Sequence, residues 1–61
     1  MIEVYNAITN IANIIEKDVF IGYDRFTGDN KTPLQIHSDV YKYCADIIEK
    51  EFEYLLFKLF I

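Results

Sequence analysis

Apolar residues recur at three- and four-residue steps near the start of the chain, at Val4, Ile8, Ile11, Ala12 and Ile15, with Asn6, Asn10, Asn13 and Glu16 between them. This is the period of an amphipathic helix, and it predicts a helix over residues 2–18. Tyr5, Ala7 and Ile14 widen the apolar side beyond one stripe, so the helix is expected to have neighbours on two sides. The period fails from Asp18 to Tyr23, where Val19, Phe20 and Ile21 run together ahead of Gly22. So short a run fits a last helical turn or an extended piece equally well. Residues 19–32 are assigned to a loop, whose polar part GYDRFTGDNKT holds both glycines.

A helix start follows. Thr32 has a capping hydroxyl, Pro33 suits the first helical position because its missing N–H would be unpaired there anyway, and Gln35 is placed to close a capping box back onto Thr32. The second helix is predicted over 33–52, with Ile36, Val40, Cys44, Ile47, Ile48 and Phe52 as its inward stripe. Beyond it, residues 53–61 form a tail that from Tyr54 is apolar at every position except Lys58. It reads as a helix continuation or as a strand covered on both faces. The expected fold is therefore mainly α: a single unit, 1–61, built as a helix-loop-helix hairpin with a short apolar C-terminal strand or helix tail.

Composition sharpens this picture. Sixty-one residues, 52% of them hydrophobic, are too apolar for a disordered chain, yet so short a chain lies near the lower limit of independent stability. The expectation is a core completed by a second copy, in a homo-oligomer, or by the remainder of a longer chain. Ten acidic residues against six basic ones give a net charge of -4, which does not attract phosphate backbones and argues against a nucleic-acid partner. The apolar tail is far shorter than the roughly 20 residues a bilayer requires, so no membrane partner is expected. The single cysteine, Cys44, cannot form an internal disulfide, and no secretory leader opens the chain; a cytoplasmic location is expected.

Little chemistry follows from residue types alone. His37 and Cys44 lie seven positions apart, about 10 Å along a helix, too far for a nucleophile pair and too few for a zinc site. Cys44 is expected in the core and His37 at the surface. Thr27, Gly28 and Asp29 form a polar turn in which the two side chains can bond neighbouring backbone.

The segment TGDNKTPLQIHSD, Thr27 to Asp39, resembles the TGDxxxKLDVxSN segment of class I fructose-1,6-bisphosphatases, and NAITNIANIIEK, Asn6 to Lys17, is similar to the helix that precedes it in that family. The matched positions are Thr27, Gly28, Asp29, Leu34 and Ser38. The resemblance implies the N-terminal part of an α/β sugar phosphatase of the inositol monophosphatase-like superfamily. Such a gluconeogenic hydrolase uses magnesium held by carboxylates to activate water and stabilise the transferred phosphoryl group. On that reading Asp29 matches the mobile-loop aspartate that positions metal and water, and is the candidate catalytic residue. Gln35 stands where the family has a second loop aspartate, and an amide cannot accept a proton from the attacking water. The family's metal ligands, a Glu pair and a DPLDGSS motif, lie downstream of the matched residues, and Tyr54 to Ile61 would be the first strand. The resemblance thus implies a fragment that is inactive alone and holds no cofactor itself. The residues without the resemblance give the other reading: a small acidic helical protein–protein interaction module that homodimerises through its apolar faces.

Overall fold

The structure, a computed structural model, describes residues 2–60. It is an antiparallel helical hairpin, 46 × 18 × 12 Å, made of α1 (Ile2–Ile15), a π-helical turn (Glu16–Ile21), a short 3-10 turn (Tyr23–Arg25) and α2 (Pro33–Phe60). Among the described residues there is no strand.

Helical winding continues past residue 18. After Ile15 the chain loosens to the π spacing through Ile21, and the Gly22 N–H closes this segment by donating to the Lys17 carbonyl at 3.0 Å. The wider turn accommodates the Val-Phe-Ile run: Val19 is buried, whereas Phe20 and Ile21 face outward. Gly22 is required by proximity, since a Cβ there would stand 2.9 Å from the Asp18 carbonyl oxygen and 3.2 Å from that of Lys17. The chain then reverses through the 3-10 turn, in which the N–H groups of Arg25 and Phe26 donate to Gly22 and Tyr23 carbonyls at 3.0 and 2.9 Å. The turn drives Phe26 into the hairpin, where its ring meets that of Tyr43 edge-on with centroids 5.4 Å apart.

α2 starts at the expected capping box. The Thr32 N–H donates to Gln35 Oε1 at 2.8 Å, and the Gln35 N–H donates to Thr32 Oγ1 at 3.2 Å. Nothing then interrupts the helix: Pro33 is the only proline, and both glycines precede it, so propagation adds one hydrogen bond for each residue fixed. The tail, left open between strand and helix by the sequence, is the last turns of α2 through Phe60, while Ile61 lies outside the described residues. A strand would need a partner edge for its backbone groups, whereas the helix satisfies them internally. Lys58 Nζ also sits 4.8 Å from the Tyr54 ring centroid one turn back.

The core is thin. Only Ala7, Val19, Phe26 and Leu55 are buried among the described hydrophobic residues. Val4, Ile11, Ile14 and Ile15 of α1 face α2 half-buried, as do Ile36, Val40, Cys44 and Ile47 of α2. Ala7 and Leu55 line one small groove between the helices, and Asp18 is bonded to Tyr43. These pairings fix the antiparallel register along the hairpin.

Candidate interaction surface

The inward stripes keep Val4, Ile11 and Ile15 of α1 and Ile36, Val40, Cys44 and Ile47 of α2, as the sequence suggested, but are narrower than expected. Ile8 and Ala12, expected to face the core, are exposed, as are Ile48 and Phe52; Ala7, Ile14 and Leu55 are turned inward instead. A second stripe on α2 is left outside the contact, formed by Leu34, Tyr41, Ala45, Ile48, Phe52 and Leu59. Their spacing alternates threes and fours, with Ser38 filling the first interval, so they stay on one side of the helix from its first turn to its last. The large members are 38–76% exposed.

The corresponding surface of α1 is Tyr5, Ile8 and Ala12. With about 100° of rotation per residue, these three lie roughly a quarter turn from the side of α1 that faces α2, and the α2 stripe lies a similar rotation from its inward side. Because the two axes are antiparallel, rotations of the same sense from the two inward sides carry both stripes to one broad face of the hairpin. Asn6, Asn10 and Asn13 of α1, with Asp39, Asp46, Lys50 and one exposed aromatic, Phe57, of α2, occupy the opposite face. The hairpin is thus amphipathic a second time, across its two-helix layer. At about 200 Å² per large side chain, the exposed fractions of Tyr5, Ile8, Leu34, Tyr41, Ile48, Phe52 and Leu59 amount to on the order of 800 Å² of apolar surface. Patches on ordinary monomers reach about 300–600 Å².

A polar cluster fixes the loop end of this layer. The Tyr43 hydroxyl donates to Asp18 Oδ2, Arg25 lies 3.6 Å from the other Asp18 oxygen, and its guanidinium sits 5.4 Å from the Tyr43 ring centroid. The hydrogen bond to Asp18, helped by burial, holds the Tyr43 phenol above its ordinary range, while Arg25 opposes the shift. On the far side of the loop, Lys31 Nζ donates to Asp39 Oδ2 at 2.9 Å and holds that carboxyl below its usual range. The cluster locks the π turn to α2 and thereby sets which sides of the helices face out.

The residues that carried the phosphatase resemblance have local partners or open positions. The Thr27 hydroxyl donates to the Asp24 carbonyl at 3.0 Å. A Cβ on Gly28 would meet only the Lys31 side chain, at 3.6 Å. Asp29 is exposed in the loop, Leu34 belongs to the apolar face, and the Gln35 amide is engaged in the capping box. His37 is exposed and Cys44 half-buried. Among the described residues no group of three or more His, Cys, Asp or Glu side chains is arranged to hold a metal ion, and no helix is long and apolar enough to cross a membrane. Neither protein-family models, nor curated proteins, nor solved structures give a match to the chain.

Proposed function

We propose that this chain is a small acidic protein–protein interaction module, a helical hairpin that joins another helical surface through its apolar face. The observation that carries the reading is the exposed stripe of Leu34, Tyr41, Ala45, Ile48 and Phe52, with Leu59 two turns beyond, joined on the same side by Tyr5 and Ile8. An apolar surface of that extent in water is costly, at about 25 cal/mol per Å², and covering it is the largest favourable term this layer has left to gain. The polar side, with its asparagines and surplus acidic groups, keeps the joined assembly in solution.

The test compares the wild type with Tyr41→Glu/Phe52→Glu on the apolar face and with Asn13→Lys on the polar face. Helicity is followed by circular dichroism, exposed apolar surface by binding of anilinonaphthalene sulfonate, and assembly by sedimentation velocity. The wild type and Asn13→Lys are expected to assemble or to bind the dye strongly, and the double variant to remain helical while doing neither. A wild-type chain that sediments as a helical monomer and ignores the dye overturns the proposal.

A further inference from the structure

The apolar face suits a second copy of the same chain. Resting on the interaction reading above, we propose that two hairpins stack face to face as a four-helix assembly, with α2 lying antiparallel on α2 of its partner about a two-fold axis between Ala45 and Ile48. Three features of the face favour that occupant.

The first is size matching along the stripe. An antiparallel register centred between Ala45 and Ile48 sets Ala45 against Ile48, Tyr41 against Phe52, and Leu34 against Leu59, each twice by symmetry. Small opposes large at the centre, aromatic opposes aromatic farther out, and leucine opposes leucine at the ends, the interdigitation that close packing requires. A parallel, in-register pair would set Ala45 against Ala45 and leave a gap beside the crowded Tyr41 and Phe52 layers.

The second is charge. A chain of net charge -4 repels its own copy, and an isologous contact places the same patch on both sides. The α2 stripe contains no charged residue, so the acidic groups stay outside the contact. The charged residues at its outer edge are Lys42 and Glu49, and the antiparallel arrangement brings Lys42 of each copy beside Glu49 of the other. In a parallel pair each would instead face a residue from the inner edge, His37 or Cys44, with no opposite charge. The third feature is area: the exposed fractions of Leu34, Tyr41, Ile48, Phe52 and Leu59 alone amount to on the order of 600 Å², at the lower end of the roughly 600–1,000 Å² per partner found in stable interfaces.

Two measurements on the full chain test this. Reversing one edge charge, with Lys42→Glu or Glu49→Lys, is expected to weaken dimerisation about five- to thirty-fold, because each dimer carries two such pairs; the double reversal restores it. In a Cys44→Ala background, nitroxide labels at Lys58→Cys are expected about 35 Å apart, from 1.5 Å of rise per residue on either side of the axis. A dimer with labels within about 20 Å, the spacing of neighbouring parallel helices plus label arms, overturns the antiparallel register and leaves the interaction reading standing. A monomer that still binds the dye overturns the second copy as occupant, again without touching that reading. A monomer that does not bind the dye overturns both.

Discussion

Leu55 gives the most demanding check of the hairpin's packing. It is 6% exposed and shares a groove with Ala7, whereas Phe57, two residues on, is 64% exposed. Truncating a buried leucine to alanine costs about 2–5 kcal/mol, through lost transfer energy and the cavity left behind. Ala7, itself small, has no side chain to swing into the space, which favours the upper part of the range. A chain of this length has total stability on the order of 3–9 kcal/mol, at roughly 0.05–0.15 kcal/mol per residue. Leu55→Ala therefore removes about half of it and lowers the thermal midpoint by roughly 10–30 °C. Phe57→Ala removes more atoms from an exposed position on the side away from the apolar face, and is expected to shift stability by no more than about 0.5 kcal/mol. Thermal unfolding followed by circular dichroism at one protein concentration reads both. Equal effects of the two substitutions would show that the inward side of α2 is wrongly assigned, and the two-faced layer would fall with it.

The glycines should behave oppositely. Gly22→Ala, which forces a Cβ against the Asp18 carbonyl oxygen at 2.9 Å, is expected to cost about 1–3 kcal/mol, while Gly28→Ala is neutral or stabilising by about 0.4–1 kcal/mol, both read from denaturant midpoints. Thr32→Ala breaks the capping box and should cost about 1 kcal/mol, with increased amide exchange confined to the first turn of α2. Tyr43 has a phenol pKa raised by its bond to Asp18, so the stabilisation it gives is complete below the ordinary tyrosine range and is lost as pH rises through the shifted value. Stability of the wild type should therefore fall on the alkaline side in a way that Tyr43→Phe does not; identical alkaline profiles would remove the Asp18 bond from the account.

Much of the hairpin was legible in the sequence because its signals are local. Thr32, Pro33 and Gln35 announce the start of α2 without reference to the rest of the molecule, and the helix period near the N-terminus needs no partner to be recognised. The limits of each inward stripe were not legible in the same way. Ile8 and Ile48 satisfy the period as well as Ala7 and Leu55 do, and only the docking of Phe26 and Asp18 against Tyr43, contacts far apart in sequence, decides which side turns inward. The width of the apolar pattern in α1 nonetheless pointed to neighbours on two sides, and the stripe from Leu34 to Leu59 has a spacing that could have been read as a second contact surface. The phosphatase-like stretch shows the opposite limit: Asp29 rests on a short motif, and the geometry around Thr27 and Gln35 is explained by a turn and a helix cap.

Sedimentation equilibrium of the intact chain over a broad concentration range reads self-association without labels or substitutions. A face-to-face pair predicts a reversible rise in mass from the 7.2 kDa of one chain to twice that value. A constant single-chain mass at every concentration, with helicity intact and no apolar surface available to dye, would contradict it.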